Sequence, residues 1–177
     1  KNEDINWVFK NINLFPAWRK TTGKKEIIVA VIDDGFDLNH IDFSKNYSDA
    51  YNVTSGSQVV SSSFERQHGT HVAGIATANS DNTIGSLGLA NKCTLLPIQI
   101  ADDVNPERLS STNIIDGILY ALNKGADVIN ISLGLTITGF EEWSKQDSVN
   151  FKNAYYDESI FWRELYSKLE ENNVIVV

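Results

Sequence analysis

The chain has 177 residues, of which 42% are hydrophobic and 21% charged, and this length and composition fit one globular domain with a sizeable core. Its net charge of −8 argues against nucleic acid or an anionic membrane as the main partner, because basic surfaces bind both. Its one cysteine, Cys93, excludes an internal disulfide framework and cysteine-based zinc clusters, and no apolar run approaches the roughly 18 residues that span a bilayer.

Apolar runs and amphipathic stretches alternate along the chain. The runs predict strands over residues 27–32, 94–100, 128–133 and 174–177, and the stretches between them predict helices over residues 71–78, 112–123 and 159–171. Pro97 predicts an edge strand or a bulge, because proline cannot donate to a sheet ladder. The serine-rich residues 46–67 favour a loop or an irregular hairpin. Strands that alternate with helices predict an open α/β sheet of parallel strands.

Active sites of such sheets form at the carboxyl ends of the strands. Asp33 follows the first predicted strand, where a rigid and partly desolvated carboxylate is suited to orienting an imidazole. Asp34 is its neighbour, but successive strand residues point to opposite faces, so one of the two can face a given cleft. A solvated turn formed by Asp33, Asp34 and Gly35 is the alternative.

His68 stands at the amino end of the first predicted helix, whose small residues allow a close approach to other backbone. Imidazole has an ordinary pKa near neutrality and therefore suits proton transfer. The alternative is a capping or surface histidine. His71 follows three residues later, and this spacing also resembles a metal-binding pair on a helix.

Four segments together resemble the subtilisin family of serine peptidases. Residues 29–37 (Val-Ala-Val-Ile-Asp-Asp-Gly-Phe-Asp) match its aspartate motif, and residues 68–74 (His-Gly-Thr-His-Val-Ala-Gly) match its histidine motif. Residues 82–90 are similar to the loop after the histidine helix, and residues 127–134 are similar to its substrate-binding strand. Four ordered motifs at compatible spacing are more specific than any one of them.

The resemblance implies a doubly wound, mostly parallel sheet with helices on both faces, incomplete at its C-terminus. Residues 1–177 would then form the N-terminal portion of a single peptidase domain, with an insertion at residues 136–157. The implied activity is a serine endopeptidase that uses an Asp–His–Ser triad. In it, His68 accepts the serine proton and Asp33 orients His68.

No segment resembles the family's Gly-Thr-Ser-Met-Ala-type serine turn. We therefore expect the nucleophile, and the asparagine that binds the oxyanion, beyond residue 177, and we expect this chain alone to be inactive. Two alternatives remain open. One is a catalytically inactive module that keeps the peptide groove, and the other is a metallohydrolase built on His68, His71 and Asp33.

The resemblance also implies how substrate binds. Ser132, Leu133 and Gly134 would offer backbone groups to an extended peptide, which would pair with them as an added strand. The implied partners are a polypeptide substrate and the protein's own propeptide, and family habit implies secretion. Aromatic residues of the 136–157 segment either border this cleft or form a packed surface excursion.

A structural calcium is the one implied ion, and catalysis requires no cofactor. Its expected ligands are the side chains of Asp42 and Asn82 and the backbone carbonyls of Ile84 and Ser86, an oxygen set that suits Ca²⁺. A polar turn over residues 79–82 fits the same sequence. Finally, Asp34 stands where the family often has serine or threonine, and a second carboxylate there is expected to raise the pKa of His68.

Overall fold

The described residues form a five-stranded parallel sheet at the core of the protein. The computed structural model describes residues 7–43, 46–61, 67–80, 85–104, 109–134 and 142–177. The strands are β1 (Ile28–Asp33), β2 (Tyr51–Asn52), β3 (Thr94–Gln99), β4 (Val128–Asn130) and β5 (Ile175–Val176), in the order β2-β3-β1-β4-β5. β1 is the central strand, and it pairs with β3 along its whole length. Asp33 therefore lies at the carboxyl end of the central strand.

Helices cover both faces of this sheet. They are α1 (Trp7–Asn11), α2 (Leu14–Trp18), α3 (His68–Thr77), α4 (Ser111–Asn123) and α5 (Lys145–Glu171), with a short 3₁₀ helix at Ile41–Phe43. None of the helices in the described ranges is long and apolar enough to cross a bilayer.

Alternation along β1 divides the apolar core into two layers. Ile32 packs with Ile118 of α4 and Leu165 of α5 on one face. Val31 packs with Ala73 of α3 on the other face. The prediction of a doubly wound α/β sheet with helices on both faces is thus confirmed. By the same alternation, Asp33 lies on the face that carries α3.

Pro97 is buried inside the sheet, so the expectation of an edge strand was wrong. β3 lies between β1 and β2, and Pro97 is in regular register with Val31 without a bulge. The N–H groups of alternate residues of β3 face the segment that contains β2, as the bond from Leu95 to Asn46 shows. Pro97 faces this segment between the pairs Tyr47–Leu95 and Tyr51–Ile98, where the segment contains one more residue than β3, so the bulge that Pro97 predicts lies in the neighbouring segment. The missing N–H therefore costs no ladder bond.

α5 is longer than the sequence predicts. It begins at Lys145 rather than at residue 159, so the expected connection at residues 136–157 is helical over its second half. Ser144 and Asp147 form a capping box that starts the helix, and the rings of Phe151 and Tyr155 meet four residues apart, 5.6 Å between centroids. The first part of the predicted insertion, including Phe140, lies outside the described residues.

Several elements have weak sequence signals. β2 has two residues and lies inside the predicted loop 46–67, and α1 and α2 have one turn each. Such elements are too short for a periodic pattern to distinguish them. In contrast, α4 begins where Ser110 accepts a hydrogen bond from the Asn113 N–H, as a serine at a helix start favours.

Candidate active site

Asp33 and His68 lie together at the carboxyl edge of the sheet. His68 is the first residue of α3, and its Nδ1 lies 2.8 Å from the Asp33 Oδ1. The Asp33 side chain is fully buried, whereas 55% of the His68 side chain is exposed. One ring nitrogen is thus held by a buried carboxylate while much of the imidazole faces solvent. No described residue forms a hydrogen bond to Nε2 of His68.

The side chain of Asp33 lies in a buried place from which water is excluded. Its Oδ1 accepts the Asp34 N–H at 2.7 Å in addition to contacting His68. Its Oδ2 is buried and has no hydrogen-bond partner among the described residues. Burial raises the pKa of Asp33, and the hydrogen bond to His68 opposes this rise. Protonated His68 is the partner that best compensates this buried charge.

The same contact changes the titration of His68. Its hydrogen bond to Asp33 raises the pKa of His68, partial burial opposes the rise, and the charges of Asp33 and Asp34 add to it. A proton acceptor must be neutral, so His68 can act as a base above this raised pKa and is blocked below it. The expectation that Asp34 raises the pKa of His68 agrees in direction with this result.

Asp34 also fixes the start of α3. Its Oδ1 accepts the backbone N–H of Gly69 at 2.8 Å, which satisfies one of the free donors at the amino end of a helix. A Cβ on Gly69 would lie 2.8 Å from the Asp33 Cβ and would overlap the Gly35 carbonyl oxygen. The absence of a side chain at position 69 therefore lets α3 approach β1 closely enough for His68 to meet Asp33.

Two further polar residues support this edge, and the sequence patterns predicted this role for neither of them. Thr70 accepts the Asp37 N–H at 2.9 Å through its hydroxyl, which joins α3 to the turn after β1. Gln99, fully buried and in register with Asp33, accepts the Ser61 N–H at 2.8 Å and so anchors the segment before α3. The sequence signal for Gln99 was the presence of one polar residue inside the otherwise apolar run of β3.

The expected substrate-binding residues follow β4. Ser132 and Gly134 are exposed and Leu133 is half-buried, and no backbone hydrogen bond joins residues 132–134 to another part of the chain that the structure describes. Leu133 and Gly134 line a cavity of about 730 Å³ between β4, β5, α4 and α5. Its lining includes residues that directly follow β4 and β5, so it lies toward the same carboxyl edge of the sheet as Asp33.

The expected calcium loop is described in part. Asp42 is buried, both of its carboxylate oxygens accept the Ser86 N–H at 3.2 and 3.0 Å, and its backbone carbonyl accepts the Asn79 N–H at 3.0 Å. The structure brings Asp42 and Ser86 together, while Asn82 and Ile84 lie outside the described residues. A buried carboxylate beside this loop fits a hard cation.

His71 does not join a metal-binding group. It is exposed on α3, and within the described ranges no three His, Cys, Asp or Glu side chains converge as metal ligands. The geometry gives no support to a metallohydrolase built on His68, His71 and Asp33.

A parallel α/β sheet that carries a hydrogen-bonded Asp–His pair at its edge is a framework on which triad hydrolases are built. The comparison with family models makes this specific, since residues 24–177 match the model of the subtilase family, peptidase S8. The chain belongs to the subtilase family, as its motifs predicted.

Curated relatives and solved structures agree with this assignment. The chain is 38% identical over 122 residues to the thermophilic serine proteinase of Bacillus sp. (strain AK1), an alignment that covers 67% of the chain and 28% of that protein. It is 31% identical over 140 residues to the halolysin-like extracellular serine protease Nep of Natrialba magadii, covering 71% and 24%. Fervidolysin from Fervidobacterium pennivorans, a keratinolytic enzyme related to subtilisin, superposes with a TM-score of 0.64 at 26% identity, covering 91% and 22%.

The chain spans about a quarter of the length of these three proteins. Other matched relatives include the cell wall-associated protease and the major intracellular serine protease of Bacillus subtilis (strain 168).

Proposed function

We propose that this chain supplies the Asp and His of a serine endopeptidase whose nucleophilic serine lies outside the 177 residues. The observation that carries the proposal is the 2.8 Å contact between a buried Asp33 carboxylate and an imidazole that is 55% exposed. Membership in the subtilase family supports the same assignment. The inactive binding module and the metallohydrolase have no observation of their own in their favour.

Each of the two residues has a defined part in the reaction. His68 Nε2 takes the proton of the serine hydroxyl as the serine oxygen attacks the peptide carbonyl carbon, and it then gives that proton to the leaving amine as the carbon–nitrogen bond breaks. In the second half of the reaction, His68 takes a proton from water as the water oxygen attacks the acyl carbon. His68 then returns the proton to the serine oxygen as the acid product leaves. Asp33 keeps the proton on Nδ1, so that Nε2 is the accepting nitrogen, and it stabilises the imidazolium that forms.

The substrate is a polypeptide bound beside β4. Residues 132–134 lie at the correct edge of the sheet, and their backbone groups have no backbone partner among the described residues. An extended peptide would pair with them as an added strand, which recognises backbone rather than particular side chains. We propose the protein's own propeptide as a second occupant of this groove, and export from the cell, which the extracellular relative supports.

A structural calcium at Asp42 is proposed as well, with Asn82, Ile84 and Ser86 as the other ligands. The support is a buried carboxylate beside the loop that residues 79 and 86 flank. Calcium would stabilise this loop and take no part in the chemistry. Chelation should lower the melting temperature of the wild-type protein. Added calcium should leave the melting temperature of Asp42→Asn unchanged.

Labelling of the full-length protein with a serine-directed fluorophosphonate tests the proposed activity. We expect His68→Ala to abolish labelling, because the serine loses its base. His71→Ala is the matched control, since it removes an exposed imidazole one turn along the same helix and should label as wild type does. Labelling that persists in His68→Ala would reject His68 as the base. A wild-type protein that binds peptide without being labelled would instead be an inactive binding module.

A further inference from the structure

The cavity beside residues 132–134 contains one feature that peptide backbone recognition does not explain. It has a volume of about 730 Å³, within the range of small-ligand pockets. Its walls are largely apolar and include the aromatic side chains of Tyr155, Trp162 and Tyr166 on α5. Of the described residues that line it, Glu158 alone carries a formal charge.

Glu158 is fixed in this wall as a carboxylate. Its Oε1 accepts the indole N–H of Trp162 at 3.1 Å. Hydrogen bonding with Ser111, at the start of α4, is the largest cause that lowers the pKa of Glu158, and the hydrogen bond from Trp162 adds to it. Both partners are neutral, so they orient the carboxylate without cancelling its charge, and within the described part of the chain no Lys, Arg or His forms an ion pair with it.

A carboxylate among aromatic rings is complementary to a long basic side chain. The methylene stem of Lys or Arg packs on apolar walls while its head reaches an anion. Aromatic faces add attraction for the cation. A purely aliphatic side chain would pack against the apolar walls but would leave the Glu158 carboxylate without a cation. This is unfavourable because Glu158 is half-buried.

The cavity is continuous with the proposed substrate strand, because Leu133 and Gly134 belong to both. Alternate side chains of an extended peptide point to the same side. A peptide that pairs with residues 132–134 therefore directs one of its side chains toward α4 and α5, where Glu158 lies.

We propose that this cavity is a specificity site for a Lys or Arg side chain of the polypeptide substrate, with Glu158 as the residue that selects it. The proposal rests on the endopeptidase function proposed above and specifies its substrate class. It assigns a function to the aromatic part of α5, which begins inside the segment that the sequence identified as an insertion.

The test uses the full-length protein and compares its activity on two peptides. Each pair of fluorogenic peptides differs at one position, which is Lys in one peptide and the uncharged norleucine in the other. Successive pairs place this difference at each position before the cleaved bond. The value of kcat/KM is measured for wild type and for Glu158→Gln. Glutamine keeps an oxygen for Trp162 and Ser111 and removes the charge. At one position the wild type should favour Lys over norleucine by about tenfold, as for a charge-assisted hydrogen bond, and Glu158→Gln should abolish that ratio.

Two results would overturn the proposal: an equal kcat/KM for both peptides at every position in the wild type, or a Lys preference that survives Glu158→Gln. Glu164→Gln is the matched control, since Glu164 is exposed on the same helix and does not line the cavity, and its Lys-to-norleucine ratio should equal that of wild type. If no peptide is cleaved by the wild type, the endopeptidase function itself has failed, which is a separate result.

Discussion

Replacement of Gly69 by alanine is predicted to separate the catalytic pair. The new Cβ would lie 2.8 Å from the Asp33 Cβ and would overlap the Gly35 carbonyl oxygen. Carbon atoms in contact prefer about 3.5–4.0 Å, so the start of α3 must move back by about 1 Å. His68 precedes this residue and would move with it. Misplacement of a catalytic group by about 1 Å costs roughly 100-fold in rate.

The same overlap should reduce stability. Overpacking of this kind costs about 1–3 kcal/mol, which corresponds to about 2–4 °C in melting temperature for each kcal/mol in a domain of this size. The assays are kcat/KM of the full-length protein on a peptide substrate and its thermal unfolding.

Gly74→Ala is the control for this prediction. Gly74 is a buried glycine of the same helix, but a Cβ there meets no atom within 4 Å. Because alanine is the better helix former by about 1 kcal/mol, this variant should be at least as stable as wild type and equally active. If Gly69→Ala retained kcat/KM within twofold of Gly74→Ala, close backbone approach would not be what brings His68 to Asp33.

Two further substitutions test the electrostatics and the loop packing around this site. Asp34→Asn keeps an oxygen for the α3 backbone N–H but removes a charge that raises the pKa of His68, so the acid limb of kcat/KM should move to lower pH, and superimposable wild-type and variant profiles would contradict this. Gly85→Ala places a Cβ 2.6 Å from the Asp42 carboxyl carbon at a φ of +76°. Gly56→Ala has a similar φ of +65° with open space around it. Both should lose about 1–2 kcal/mol for the left-handed backbone, and thermal unfolding should show a larger loss for Gly85→Ala; equal losses would mean that the loop does not depend on its packing against Asp42.

The sequence predicted the central sheet and the Asp–His pair because both have strong local signals. β1 is an unbroken β-branched run that ends at Asp33, and the small residues after His68 indicate a helix that packs closely. His68 begins a helix and does not end a strand, so its pairing with Asp33 was expected from the resemblance of the two motifs, 35 residues apart, to those of the subtilisin family. Pro97 was misinterpreted as an edge residue because the bulge in the neighbouring segment is a tertiary feature.

The α5 wall of the cavity was not predicted for a related reason. Residues 145–157 contain aromatic and acidic side chains with no apolar stripe of their own, and the helix there depends on the Ser144 capping box and on continuity with the buried part of α5. The environment of Glu158 depends on Ser111, which is 47 positions away in the chain, and a single sequence does not reveal such a contact. Gln99 was overlooked because one polar residue in an apolar run has no distinctive spacing.

The most direct test of the central claim is the titration of His68 by NMR in wild type and in Asp33→Asn. Three histidines are present, so the resonances of His40 and His71 report whether the variant keeps its fold. The carboxylate raises the pKa of His68, and an uncharged amide in its place should therefore lower it. An identical His68 titration curve in the two folded proteins would contradict the contact between Asp33 and His68 on which the proposed mechanism depends.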